Sequence, residues 1–273
     1  LKENRKKNID AIERINVEHD YKAVFEHLSL YKDKESPLAQ KNKDGSIQTL
    51  VDRSDQGEHW TNLRDCAYIH LFEQPKITWL SITDKPAFAY DTKHYITAPA
   101  YFMSGNDLKY LMLMLNSKVM EWYFNKGSSS TGQGTNQWSK LFVEQLPIPK
   151  ISDEGLKNQI NTLADYLTFL NVSGNPKINE FTENSKASLI FEDIANMISY
   201  ELFFENEMKE NDVDIIKHLS FKPIDNIEDA KDITKIIGET YVNLQATANP
   251  IRNKIIQANI RSSVIKRIKS TTH

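Results

Sequence analysis

Along the first third of the chain the apolar positions Tyr21, Val24, Phe25, Leu28 and Tyr31 recur at helical spacing and predict one short amphipathic helix that ends near Ser36-Pro37. The period is then lost. PLAQKNKDGSIQTLVDRSDQGEHW sets Gly45 and Gly57 among charged residues and predicts a long polar loop. Further on, KITWLSIT, AFAY and HYITAPAYFM are β-branched and aromatic runs broken by DKP and DTK, as in consecutive antiparallel strands of a small sheet. Asn106 is a good N-cap for a helix from Asp107 to about Phe124 that ends at Gly127. KGSSSTGQGTNQWSK follows as a polar loop with a Trp at its end, leading into the strand-like LFVEQL and the stiff, extended PIPK. Beyond Ile151 the pattern is wholly helical: Leu156–Leu170, Leu189–Lys209 with Phe191, Ile194, Ile198 and Leu202 on one face, Ile227–Ala246 and Pro250–Ile268. Asn249 caps the last of these, with Pro250 at the favoured first position.

The predicted fold class is therefore α+β, with a small β-rich domain and flanking helices over residues 1–150 and an α-helical domain over residues 151–273. A length of 273 residues suits two such domains. With 40 % hydrophobic, 26 % charged and 10 % aromatic residues, the composition is that of a soluble globular protein. A single cysteine excludes an intramolecular disulfide and fits a reducing compartment, so the expected address is the cytoplasm. The most apolar segment, LKYLMLMLNSKVMEWYF, is interrupted by Lys109, Asn116, Ser117 and Lys118 and reads as a core helix rather than a membrane span. The chain opens at Leu1 inside a polar helical pattern, which reads as a fragment of a longer protein.

A net charge of −3 argues against a protein that coats nucleic acid by bulk electrostatics. The charge is unevenly placed, however: no Asp or Glu follows Glu239, whereas Arg252, Lys254, Arg261, Lys266, Arg267 and Lys269 all do. Cys66 and His70 stand one helical turn apart but have no second pair to complete a zinc site, so no metal is expected. Two arrangements approach a metal-dependent nuclease pattern, Asp193 with Glu207-Met208-Lys209 and Asp84 with Asp91-Thr92-Lys93; the first falls on helices and the second on turns. No P-loop, Gly-x-Gly-x-x-Gly or Gly-x-Ser-x-Gly occurs, so no catalytic residue is assigned. What remains are polar loops beside a β-rich platform. Asn and Gln bind adenine edges through a paired donor and acceptor, which makes Gln133, Asn136 and Gln137, with the adjoining Trp138, base-reading candidates. Lys126 and Lys140 on the flanks of that loop, and Lys41, Lys43 and Arg53 in the earlier one, are phosphate candidates.

Read together and in order, YKAVFEHLSLYKDK, HWTNLRDCAYIHLFEQPKITW, AFAYDTKHYIT, LKYLMLMLNSKVMEWYF and EQLPIPKI resemble the TaqI-like C-terminal specificity region of adenine-specific DNA methyltransferases, a layout shared by type IIG restriction-modification enzymes. FEDIANMISYELFFENEMKEN looks like the helical segment that follows it there. The resemblance implies a framework role for the Trp-x-x-Leu-Arg-x-Cys-x-Tyr segment and the Pro-Lys-Ile strand. Trp60, Leu63, Tyr68, Phe72 and Trp79 become core candidates, and Arg64 and Lys76 further phosphate candidates. It also implies double-stranded DNA as partner, together with a methyltransferase part N-terminal to Leu1 that binds S-adenosylmethionine. The fragment itself is expected to hold no cofactor, because the Asn/Asp-Pro-Pro-Tyr/Phe motif of that part is missing: no Pro-Pro occurs, and Asn249-Pro250-Ile251 and Asn175-Pro176-Lys177 do not replace it. The competing expectation is a helical scaffold that joins subunits of a restriction-modification assembly.

Overall fold

The computed structural model describes residues 15–54, 56–57, 59–62, 68–127 and 136–272. It divides into two compact units, Leu1–His70 and Leu71–His273.

In the first unit, α1 (Val17–Asp20) and α2 (Lys22–Ser29) carry the predicted amphipathic pattern. The polar loop beyond them is not featureless, since β1 (Gln40–Lys41) and β2 (Ile47–Gln48) pair antiparallel as a short hairpin. Its tip closes because Asn42 N donates to Ser46 O at 2.8 Å and Gly45, at φ 84°, takes a turn position that favours glycine. Phe25 packs on Trp60 with ring centroids 5.6 Å apart.

The second unit is built on a three-stranded antiparallel sheet of order β5-β3-β6, from β3 (Lys76–Leu80), β5 (Ala89–Asp91) and β6 (Ala100–Ser104). The register sets Ile77 between Tyr90 and Met103, so these side chains share a face, and that face packs on Phe88, Leu108, Met112 and Phe124. Between β3 and β5 lies β4 (Ile82–Thr83), which leaves this sheet and pairs instead with β7 (Asn136–Gln137) as a separate antiparallel ribbon. The expected runs all contain antiparallel strand, but KITWLSIT is divided between two sheets and only the second half of HYITAPAYFM is a strand.

The predicted helix 107–124 is two helices, α3 (Leu108–Leu115) and α4 (Lys118–Gly127). Its cap position is Asp107, in the left-handed region at φ 53°, rather than Asn106. The interruption has a tertiary cause. The Asn116 carboxamide accepts from Phe88 N at 2.9 Å and donates to Phe88 O at 2.8 Å, like a strand partner. Ser117, 2 % exposed, then starts α4, its Oγ accepting from Met120 N at 3.3 Å and from Ser199 Oγ at 3.0 Å. LFVEQL, read as a strand, begins instead with a helical turn, α5 (Lys140–Val143).

The later helices follow their period: α6 (Glu154–Asn171), α7 (Asn184–Phe203), α8 (Glu205–Glu210), α9 (Ala230–Gln245), α10 (Pro250–Arg261) and α11 (Ser263–Lys269). α6 packs against both α7 and α3, so the helical part and the sheet belong to one compact unit. Leu146 and Ile148 of the LPIP segment pack against both hydrophobic clusters of this unit. Tyr110 OH donates to Pro149 O at 2.5 Å, and burial, with the nearby Asp107 charge, pushes this phenol up to about 12. Asn249 caps α10 as expected, its Oδ1 accepting from Arg252 N at 3.2 Å with Pro250 in the first turn. Asn249→Ala should therefore lower unfolding free energy by about 1 kcal/mol in a urea titration.

Candidate nucleic-acid interface

The base-reading candidates meet at the β4–β7 ribbon, where Gln137 stands opposite Ile82 and Asn136 opposite Thr83. Gln137 is exposed. Asn136 is half-buried, and its Nδ2 donates to Asn125 Oδ1 at 2.7 Å, so its carboxamide is held by the end of α4. Gln133 lies outside the described residues.

The structure gives Trp138 a different role. The ring is 1 % exposed, stacked on Phe124 at 3.6 Å and 9° between planes, with Phe88 edge-on at 5.7 Å. No face is left for a base, and the residue is an anchor. Its backbone N donates to Ser81 O at 2.8 Å and its carbonyl accepts from Trp79 Nε1 at 2.8 Å, so Gln137 is tied at its C-terminal side to the sheet core. Position 138 points inward and position 137 outward, as strand alternation requires.

Around the ribbon, Lys126 is exposed with Nζ 6.0 Å from the Trp122 ring centroid, and Lys140 is exposed with Glu144 at 3.5 Å. Both remain available to phosphates, because a solvated pair this loose holds its lysine weakly. Sequence reasoning missed Ile82, an apolar side chain 57 % exposed directly across from Gln137, and Tyr123, 46 % exposed on α4. The signal for Ile82 was present in WLSIT, where a strand that continued past Leu80 had to leave one apolar side chain outside.

Lys76 is corrected as well. It is completely buried, with Nζ 2.8 Å from Asp91 Oδ2 and donating to Phe72 O at 2.8 Å, so it faces an internal carboxylate and not a phosphate. Burial acts to raise the Asp91 carboxyl, but hydrogen bonds from Lys76, from the His94 ring and from the backbone of His94 and Lys93 outweigh it and hold the group well below the usual carboxylate range. Phe72, whose carbonyl accepts from Lys76, is itself stacked on Tyr95 at 5.1 Å and tilted on Phe102 at 4.7 Å.

In the first unit, Lys41 and Lys43 project from the hairpin, exposed and without an acidic partner among the described residues. Arg53 instead braces its own loop: Nε donates to Leu50 O at 3.3 Å, and Nη2 to Trp60 O and Asn62 O at 3.1 and 3.0 Å. Arg64, Leu63 and Cys66 lie outside the described residues. Of the other core candidates, Trp79 is buried, Trp60 and Phe72 are half-buried, and Tyr68 is 54 % exposed.

The nuclease-like sets do not converge. Asp84 is exposed in a turn, Asp91 is engaged by Lys76, Asp193 is exposed on α7, and Glu207 accepts from Ser262 Oγ at 2.9 Å. Among the described residues no three His, Cys, Asp or Glu side chains form a metal-holding group. The Asn-Pro pairs are likewise committed to the fold, Asn249 as the α10 cap and Asn175 donating to Phe169 O at 2.7 Å. A cavity of about 470 Å³ behind the platform has its carboxamides engaged too, Asn116 with Phe88 and Asn196 accepting from Lys118 N at 2.8 Å. No helix among the described residues is long and apolar enough to cross a membrane.

An α+β platform that presents exposed amide and apolar side chains on a ribbon, with exposed lysines on the helices before and after it, defines a recognition module, of the kind that reads DNA sequence in restriction-modification proteins. Residues 30–148 match the family model of the TaqI-like C-terminal specificity domain. No curated protein matches the chain.

Proposed function

We propose that this chain is the sequence-reading part of an adenine-specific DNA methyltransferase, of the type IIG restriction-modification class, with the methyltransferase part and its S-adenosylmethionine site elsewhere in the parent protein. The match of residues 30–148 to the specificity domain carries this reading, and the missing Pro-Pro motif agrees with a part that recognises DNA without modifying it. Residues 1 to about 150 read double-stranded DNA, and the helices beyond brace them against the methyltransferase part. Work in the cytoplasm fits both the substrate and the lone cysteine.

Within this reading Gln137 is the primary base contact, offering a donor and an acceptor to an adenine edge, with Ile82 beside it for a thymine methyl. Lys126, Lys140, Lys41 and Lys43 contact phosphates and set register without reading sequence. A bidentate contact discriminates by about 1–3 kcal/mol, or roughly 5- to 150-fold. Gln137→Ala in the parent enzyme should therefore relax preference at one base pair while overall methylation continues, as read from the modified sites in a randomised DNA library. An unaltered preference after replacing Gln133, Asn136 and Gln137 together would remove the assignment of the ribbon.

A further inference from the structure

Helix α10 (Pro250–Arg261) carries a surface that neither the specificity domain nor the ribbon uses. Its inner face is conventional: Ile251 and Ala258 are buried and Ile255 packs against the core of the second unit. On one flank the basic residues are already occupied. Lys254 Nζ sits 2.7 Å from Asp212 Oδ1 and 3.6 Å from Asp214 Oδ1, and Arg261 Nη1 donates to Asn211 O at 3.2 Å.

The outward stripe differs. At 3.6 residues per turn, Arg252, Ile256 and Ile260 follow one another along the helix, with Asn253 and Asn259 on either side. Ile256 is 47 % and Ile260 68 % exposed, a pair of large aliphatic side chains one turn apart in water. Asn253 Nδ2 donates to Thr247 O at 2.9 Å, which leaves its Oδ1 to accept, whereas Asn259 is engaged at both ends, its Oδ1 accepting from Lys269 Nζ at 2.8 Å and its Nδ2 donating to Ile255 O at 3.3 Å. Lys266 and Arg267 of α11 (Ser263–Lys269) are exposed just beyond. No acidic residue follows Glu239 anywhere in the sequence, in a chain whose net charge is −3.

We infer that α10 is a second DNA-contacting element that lies in the major groove. An α-helix fits that groove, which is about 12 Å wide. The residue types match the ligand: Arg252 and Asn253 pair with base edges or phosphates, Ile256 and Ile260 meet thymine methyls, and Lys266 and Arg267 hold phosphates. An acidic amphipathic protein helix would use the positive charge and the isoleucines but not the Asn253 carboxamide, so DNA accounts for more of the face. The inference rests on the DNA-recognition reading but not on the ribbon assignment.

The test is fluorescence anisotropy of the 273-residue chain with a random-sequence duplex across a salt series. Four proteins are compared: the unaltered chain, Arg252→Ala/Lys266→Ala/Arg267→Ala, Gln133→Ala/Asn136→Ala/Gln137→Ala, and Ile256→Asp. Each phosphate contact contributes about 0.9 to the slope of log K against log salt, so the helix variant should lose about 2–3 from the slope and bind at least roughly tenfold more weakly near 0.1 M salt. The ribbon variant should keep the slope, because its side chains face bases. Ile256→Asp, which sets a carboxylate in the groove without removing a cation, should also weaken binding about tenfold. An unaltered slope in the helix variant overturns the inference, as does a slope unchanged while an acidic amphipathic peptide binds the unaltered chain and not the variant. Failure of the ribbon assignment would instead appear as unchanged sequence preference in the parent enzyme, with the helix effect intact.

Discussion

Asp91→Ala should destabilise the protein by about 3–5 kcal/mol, because it strands the ammonium of Lys76, which is wholly buried, without its counter-charge. The remaining partner, Phe72 O at 2.8 Å, solvates one N–H and neutralises nothing. Urea titrations of three variants distinguish this from a generic strand defect. Lys76→Met/Asp91→Leu removes both charges and should recover most of the loss, since an apolar pair of similar volume has no burial penalty for ions. His94→Ala should change stability by no more than about 0.5 kcal/mol, because that ring is 80 % exposed although it lies 2.7 Å from Asp91. If Asp91→Ala and the double variant were equally unstable, the ion pair would not be the cause. The pH dependence has a definite sign. The Asp91 carboxyl is held below its ordinary value, so its contribution is complete above the unfolded titration near pH 4 and is lost as pH falls from there toward the depressed folded value. The unaltered protein should thus lose stability below about pH 4 more steeply than the double variant.

How much of this was legible in the sequence depended on whether the deciding interaction was local. The helices beyond Ile151 repeat an apolar period over several turns, and the Asn249-Pro250 start is written in adjacent residues, so both were readable. The strands from Lys76 to Ser104 were readable as strands for the same reason. What failed was set at a distance. The break at Asn116 depends on Phe88, 28 positions away, and nothing in LMLMLNSKVME marks it. LFVEQL is too short for its period to separate strand from helix, and its first turn is helical with Lys140 near Glu144 at i,i+4 spacing. For Lys76, a lysine in a strand reads as a surface cation until the register places Asp91 across from it. Lys41 and Lys43 kept their predicted exposure because the turn Asn42–Ser46 is held by its own residues.

Composition misled most at Trp138, which ends a Gly/Ser/Thr/Asn/Gln loop and so invites a reading as an exposed aromatic. Its position is instead fixed by Phe124 and Phe88, and this underlies the second large effect. Trp138→Ala should cost about 3–5 kcal/mol, because it empties the space between two aromatic rings that have no other occupant. It should also relax sequence preference in the parent enzyme at the base pair read by Gln137, at temperatures where the protein remains folded, because the stack on Phe124 holds the backbone of residue 138 where it bonds Ser81 and Trp79 and so positions Gln137. Trp138→Phe separates the two roles. The indole Nε1 has no hydrogen-bond partner among the described residues, so phenylalanine forfeits volume but no bond. It should restore the stack on Phe124 and most of the stability, and with it the sequence preference. If Trp138→Phe were stable yet indiscriminate, the indole itself would have to leave the core and touch DNA, and the anchoring role argued for it would be wrong. If Trp138→Ala kept its discrimination after losing its stability, Gln137 would be held by something other than the core, and the ribbon would no longer be a rigid reader.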